Sequence, residues 1–175
     1  MRQRHEIDSL PEELELELYQ EAIESLCNHG LEHYEISNFA KQGHRCKHNQ
    51  NYWLGNPWWA FGPSAARFIG ASRSVNHRGT IEYIRRIEKN RSPVDEVEHL
   101  SAAQILRERF VFGMRQLAGV NWNSLRFEAD ASTCNSIETA MGKHVAAGWM
   151  QWNGENVRLS REGLFISDAL WSEYL

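Results

Sequence analysis

The sequence predicts an α/β unit followed by a mainly helical one, and three observations carry that reading. A capped, apolar-striped helix leads into a short apolar segment within the first forty residues, a second apolar run, Trp58 to Gly62, lies farther on, and beyond a polar stretch at Val94 to Leu100 the periodicity is helical until a late hairpin signal. Helix, short loop and strand in succession is the repeating unit of a parallel α/β barrel, whose functional residues sit where strands end and loops begin. The expected organisation is residues 1–93 for the α/β part and 94–175 for the helical part. With 175 residues, 42% of them hydrophobic, the chain can bury the core of one domain or of two small pieces.

Ser9-Leu10-Pro11-Glu12 reads as a capping box with proline in the first turn, opening a helix to about His29 that Gly30 stops. Leu14, Leu18, Ala22 and Leu26 recur at i, i+4 and make its expected buried stripe, flanked by Tyr19 and Ile23. Glu13, Glu15, Glu17, Glu21 and Glu24 form its solvated face. Leu31 to Phe39 then reads as one strand. Lys41 to Pro57 is expected as a long ordered loop, and Trp58 to Gly62 as a second buried strand that Gly62-Pro63 bends sharply. Ser64, Ala65 and Ala66 are small enough to let a ligand approach the backbone.

Thr80 to Asn90 has a helical pattern ended by Arg91-Ser92-Pro93, and Val94 to Leu100 is the expected boundary. Ser101 to Gln104 forms another capping box for a helix through about Leu117, closed by Gly119. A short helix near Ser124 to Ala129 and a longer one from Ser136 to Ala147 follow. Asn153-Gly154, between Trp149 to Trp152 and Val157 to Leu159, is a strong two-residue hairpin signal. Ser160 caps a final helix through Trp171. Helices, a hairpin and a further helix are winged-helix-like, but the last helices carry no Lys/Arg stripe to neutralise phosphates, so nucleic acid is not an expected partner.

Mean hydropathy is −0.57, no apolar run approaches the ~20 residues that span a bilayer, and the N-terminus lacks the apolar core of a signal peptide, so a cytoplasmic location is expected. Charge is uneven. Residues 1–40 carry two basic side chains against ten acidic ones, and residues 67–91 seven against two. The basic segment suits either a solvated helix or contact with carboxylates of a ligand or an acidic partner. Cys27, Cys46 and Cys134 are odd in number and 19 and 88 residues apart, which suits a reducing compartment and not a disulfide framework.

The stretch that organises the chemistry is Arg45-Cys46-Lys47-His48-Asn49-Gln50-Asn51-Tyr52-Trp53. A histidine followed closely by Tyr and Trp can offer a ring nitrogen to a metal while flat rings line the cavity, as a planar iron macrocycle requires; a hydrogen-bonded packing histidine fits the same residue types. His48 to Trp53 reads as HNxxYW, and Tyr34 to Ala40 with Gly43-His44 as YEISNFAxxGH. Together with Gly62-Pro63-Ser64-Ala65-Ala66, these resemble, in order, three segments of the HemW heme chaperones, relatives of the oxygen-independent coproporphyrinogen III oxidase HemN in the radical SAM superfamily.

The resemblance covers nearly the whole chain but only the back half of the family's usual length. It implies the last strands of a partial TIM-like radical SAM barrel followed by a small, winged-helix-like HemN C-terminal domain. It also implies heme as ligand, with His48 the axial ligand of the iron and Asn49, Tyr52 and Trp53 lining or positioning the site. Phe39 and Ala40 would belong to a wall near S-adenosylmethionine, while an ordinary strand end is the plainer reading of both. Ala66 stands where the chaperones usually carry His, so the imidazole is missing from that point. Full-length relatives bind a 4Fe-4S cluster through CxxxCxxC, because three thiolates on one tight loop leave an iron site open for S-adenosylmethionine. No such loop exists here. The expectation is therefore a heme-binding portion without the cluster domain. The alternatives are part of an oxidase that acts on porphyrin propionates and a non-catalytic accessory chain. Expected partners are heme and either a cluster-bearing chain or a second copy.

Overall fold

The structure is a computed structural model that describes residues 10–175. Ser9, the first residue of the expected capping box, lies outside them. Helices and strands are mixed, and the chain divides into two compact units between Arg45 and Cys46.

In the first unit, α1 (Glu12–Asn28) starts from Pro11 without a side-chain cap, with Glu12, Glu13 and Glu15 at the electropositive end of its dipole. Gly30, at φ 79°, ends it. Leu26 is half-buried as expected, but Leu14 and Leu18 are 38% and 49% exposed, and the face is shared by Tyr19 and Ile23 instead. The Tyr19 hydroxyl donates to the Ile36 carbonyl, which turns that side of the helix toward the following strands. The expected single strand from Leu31 to Phe39 is an antiparallel hairpin, β1 (Glu32–Glu35) and β2 (Asn38–Ala40), with Glu32 opposite Ala40 and a bulge after His33. Glu35 makes the turn: its Oε1 accepts from the Ser37 N–H at 3.0 Å and from the Asn38 amide, a side-chain bracket that breaks the strand without glycine or proline.

The second unit opens with α2 (Lys47–Trp53), a seven-residue helix where a loop was expected. An antiparallel sheet follows in the order β3 (Ala66–Ile69), β4 (Ser72–Asn76), β5 (Val94–His99), with α3 (Thr80–Glu88) between its last two strands. The polar Val94–His99 stretch, expected as a boundary, is thus the sheet's outer strand. Its Glu96 and Glu98 reach Arg78 at 3.5 Å and Arg73 at 3.4 Å. Trp58 to Gly62 is not a strand. Trp58 makes two backbone hydrogen bonds with Phe68, and then the chain leaves the sheet, leaving Trp59 and Phe61 exposed. That excursion is pinned at Gly62, whose N–H donates to the Tyr83 hydroxyl (3.0 Å) and whose carbonyl accepts from Asn76 Nδ2 (3.0 Å).

The remaining helices pack on α4 (Ala102–Met114), which carries the expected Ser101–Gln104 capping box. β6 (Val120–Asn121), α5 (Trp122–Leu125) and a 3-10 turn at Arg126–Glu128 lead to α6 (Ala131–Ala146). This last helix begins five residues before the expected Ser136 because Asp130 caps it, accepting from the Thr133 N–H at 2.9 Å. The Asn-Gly hairpin forms as expected between β7 (Met150–Trp152) and β8 (Asn156–Leu159), and β8 also pairs β6. The expected final helix breaks at Ile166 into α7 (Arg161–Phe165), capped by Ser160, and α8 (Ser167–Trp171). Gly163 lies against the Trp149 carbonyl so closely that no Cβ would fit.

The core of this unit is Leu106, Phe110 and Met114 of α4, Trp122 of α5, Ile137 and Met141 of α6, and Tyr174, all fully buried. Removing each of the aliphatic side chains from water contributes about 1.5–3 kcal/mol. Phe110 meets Trp122 edge-on at 5.7 Å and Tyr174 at 4.8 Å. The last residues are tied in by polar contacts as well. Glu173 only accepts, so the 2%-exposed His144 donates from Nε2 to its Oε1 at 3.2 Å; Nδ1 is hydrogen-bonded to the Tyr174 hydroxyl at 2.7 Å, and that hydroxyl also lies 3.4 Å from Met150 Sδ. Arg107 donates to the Tyr174 carbonyl at 2.7 Å, across 67 residues of sequence. Among the described residues no helix is long and apolar enough to cross a membrane.

Candidate functional site

α2 turns a hexapeptide into a two-sided object. At 100° per residue, His48 and Tyr52 (i, i+4) share one face, and Asn49 and Trp53 share another. His48 is exposed, and among the described residues neither ring nitrogen makes a hydrogen bond. Its ring meets Tyr52 edge to face, 4.9 Å between centroids. Tyr52 continues to Trp58 at 4.8 Å and Trp58 to Phe68 at 5.3 Å, so an aromatic row runs from the imidazole back to the sheet. The Trp58 indole N–H donates to the Ala66 carbonyl at 2.8 Å, which ties the row to the first residue of β3. Ala66 itself is exposed. Asn51, between the two faces, closes the helix end by donating to the Pro57 carbonyl at 3.2 Å.

Trp53 faces the other way, toward α4. It lies 6.4 Å from the Phe112 ring, with the Arg115 guanidinium 4.6 Å from its own ring centre, close enough for cation–π attraction. Gly113 makes this approach possible, since it sits under the Trp53 carbonyl and against Val120. Trp53 thus fixes the motif helix to the core, while His48 and Tyr52 remain at the surface. Trp58 was read only as part of a buried strand and Phe112 only as an apolar helix position, and Gly113 and Arg115 were not singled out; α4 gave no signal beyond an apolar periodicity that any packed helix shows.

Phe39 and Ala40 belong to the first unit. Phe39 stacks on His33 with centroids 4.3 Å apart and planes 12° from parallel, and Ala40 is buried opposite Glu32. Beside them sits Glu35, fully buried, with Oε2 making no hydrogen bond among the described residues. Its place inside YEISNFA was the available signal. Arg45, the first residue of the motif stretch, is engaged: both its Nε (3.1 Å) and its terminal nitrogen pair with Glu32, and its guanidinium lies 5.6 Å from the Tyr34 ring centre. The pairing holds the Glu32 carboxyl below its ordinary range and raises Arg45. Lys47 remains an exposed cation on α2. In the basic segment, Arg73 pairs with Glu98 and Glu108, Arg78 with Glu96, and Arg85 and Arg86 with Glu82, so much of that charge is met within the unit.

Among the described residues no three His, Cys, Asp or Glu side chains converge. A planar iron macrocycle needs only one or two axial side chains, so a single exposed imidazole set on an aromatic row has the right chemistry for that group. Cys27 and Cys46 are exposed and Cys134 is buried, its thiol 3.0 Å from the Arg126 carbonyl.

No family model matches the chain. It is 30% identical over 167 residues to the heme chaperone HemW of Bacillus subtilis, covering 94% of this chain and 44% of that protein. It is 34% identical over 156 residues to HemW of Synechocystis sp., covering 88% and 38%. Radical S-adenosyl methionine domain-containing protein 1, mitochondrial, of Danio rerio is 26% identical over 87% of this chain and 37% of its own. In structure, the chain superposes on Escherichia coli coproporphyrinogen III oxidase (HemN), a radical SAM enzyme, with TM-score 0.72 at 13% identity, over 91% of this chain and 40% of that one. The chain therefore spans less than half the length of these relatives and is similar to the C-terminal portion of HemW- and HemN-like proteins.

Proposed function

We propose that this HemW-like chain binds heme through His48 and acts as the heme-carrying portion of a heme chaperone. One observation carries the reading: HNxxYW folds as a helix that leaves the His48 imidazole exposed, unpaired among the described residues, and braced edge-on by Tyr52. When bound, heme would supply a Lewis-acidic iron, and His48 would hold it through an imidazole nitrogen. His48 offers that nitrogen and Tyr52 orients the ring. Trp53 holds the helix on α4 so that the imidazole is presented from a fixed backbone, and Asn49 shares that anchoring face. Lys47 is the near cation for a propionate, since Arg45 is taken by Glu32. The test is hemin titration followed at the Soret band. His48→Ala should weaken binding at least tenfold and abolish the Soret shift that hemin shows on binding the parent, with ellipticity unchanged. Equal spectra and affinities for the two proteins would remove His48 from the site.

The likeness to HemN favours a second reading, in which the chain is part of a coproporphyrinogen oxidase. HNxxYW speaks for the chaperone branch. In both readings the α/β part expected at residues 1–93 forms the last piece of a TIM-like radical SAM barrel, the helices and hairpin beyond β5 form a winged-helix-like accessory domain, and Phe39 and Ala40 line the S-adenosylmethionine side. A cluster would be held outside these 175 residues, for example on a cluster-bearing chain, because cysteines 19 and 88 residues apart make no CxxxCxxC loop. After anaerobic iron–sulfur reconstitution the chain alone should show neither stable cluster absorbance nor reductive cleavage of S-adenosylmethionine. Exposed Leu14, Leu16 and Leu18 on α1 support contact with such a chain or a second copy, which size-exclusion light scattering reads directly.

A further inference from the structure

Helix α3 presents an apolar face that is left open in its own unit. Ile81, Ile84 and Ile87 recur at i, i+3 and i+6 and are 84%, 48% and 48% exposed, and no residue of α3 is buried. Exposed Phe61 extends this face, because the next residue's N–H is held by the Tyr83 hydroxyl of α3 at 3.0 Å. Single apolar side chains at a surface are ordinary, but four grouped inside a charged rim mark a docking surface. The rim is basic. Residues 80–91 carry Arg85, Arg86, Lys89 and Arg91 against Glu82 and Glu88. Arg85 and Arg86 are met by Glu82, whereas the exposed side chains of Lys89 and Arg91 make no ion pair among the described residues. The same chain carries the complement of this face. Helix α1 holds six glutamates and no lysine or arginine. Leu14 and Leu18, one turn apart and exposed, lie round the helix from Tyr19 and Ile23, and exposed Glu17 and Glu21 stand beside them. Neither of these glutamates makes an ion pair among the described residues. Pairing α1 with α1 would set glutamates against glutamates, and pairing α3 with α3 would set cations against cations. Only the crossed pairing joins apolar to apolar and opposite charge to opposite charge.

We propose that the α3 face receives helix α1 of a second copy of this chain, with Leu14 and Leu18 against the isoleucines and Glu17 and Glu21 against Lys89 and Arg91. One helix pair is small for a stable interface, but a two-fold axis makes it twice, since each copy offers one α1 and one α3. The contact commits the self-association named above to one surface, and it does not depend on heme. Size-exclusion light scattering of the full chain without heme should give the mass of two copies at high protein concentration and of one on dilution. Rising salt should weaken the pair severalfold, because its rim charges are screened. Ile84→Asp and Leu18→Asp, both at exposed positions, should keep the parent's ellipticity and each raise the dimer Kd at least tenfold. Mixed together, these two variants should pair more tightly than either does alone, since one intact α1 then meets one intact α3. Reversing Glu17→Lys and Glu21→Lys should also weaken the pair, and adding Lys89→Glu and Arg91→Glu in the same chain should restore it. A monomer at every concentration overturns the proposal, as does a dimer indifferent to Ile84→Asp or a charge reversal that the second reversal does not restore. Binding of a monomeric parent to anionic lipid vesicles, lost in Ile84→Asp, would assign the face to lipid and overturn it equally.

Discussion

Replacing Gly113 by alanine sets two known effects against each other at the joint that holds the motif helix. Within a helix alanine is favoured over glycine by at most about 0.8–1 kcal/mol of propensity, and Gly113 is the last residue but one of α4. Its new methyl, however, would fall well inside contact distance of Val120 Cγ1, while the Trp53 carbonyl is 3.7 Å away. Val120 is β-branched, stiff at χ1 and held in β6, so it does not swing aside cheaply. Overpacking of this kind costs about 1–3 kcal/mol. Sterics should win, leaving Gly113→Ala about 1–2 kcal/mol less stable than the parent. Val120→Ala alone should cost about 1.5 kcal/mol for the two methyl groups lost. The double variant should be more stable than the sum of the two predicts, with a favourable coupling on the order of 1–2 kcal/mol. Urea unfolding followed by ellipticity, with m unchanged, measures all three. If Gly113→Ala is as stable as the parent, or if the two changes simply add, then α4 does not pack on β6 through this contact.

Tyr174→Phe keeps the buried ring but orphans Nδ1 of His144, and should cost about 1–3 kcal/mol by denaturant unfolding. Burial, and then the Glu173 carboxylate, push the Tyr174 hydroxyl well above its ordinary value of 10.0, so its contribution is present below that value and lost as pH rises toward the folded one. The phenylalanine variant should therefore lose less stability than the parent above pH ~10, and parallel alkaline curves would contradict the assignment. Asp130 is held below its ordinary value of 3.8, first by the Thr133 N–H and then by Ser132. Its cap is present above that value and lost as pH falls through the folded one, so Asp130→Ala should flatten the acid limb of the stability curve at constant ionic strength. Gly163→Ala has no room beside the Trp149 carbonyl and should unfold the second unit at temperatures where the parent is folded, as thermal melts would show.

Local chemistry was legible wherever a cap or turn residue announced itself. The Ser101–Gln104 box, the Asn153-Gly154 hairpin, the Ser160 cap and the Gly30 stop all stand where the residues put them. What the sequence hid were choices made by tertiary partners. Leu31 to Phe39 has the look of one strand because the feature that folds it back is a glutamate side chain bracketing a turn, not a glycine. Trp58 to Gly62 looks like a buried strand by hydrophobicity, yet Trp59 and Phe61 are 66% and 85% exposed because only Trp58 pairs with β3 before the chain turns away, while the sheet's far edge is β5, a strand too acidic to be recognised as one. The α1 stripe was misplaced for a related reason, since one hydroxyl reaching the Ile36 carbonyl settles which side faces the hairpin. The candidate site was visible as a motif, but its division into a surface face and an anchoring face required the helix that a loop-like composition concealed.

The tether between Arg107 and Tyr174 bears on the order in which this protein can fold as it is made. Helix α4 leaves the ribosome long before its hydrogen-bond partner, and Phe110 must wait for the same tyrosine to complete its packing. While the intervening residues are still being added, the apolar side of α4 has no finished neighbour, and closing a loop of 67 residues carries an entropic cost that local contacts do not repay. The nascent chain should hold α4 and α6 as loosely associated helices and gain protease resistance late, in a single step, once Tyr174 has emerged.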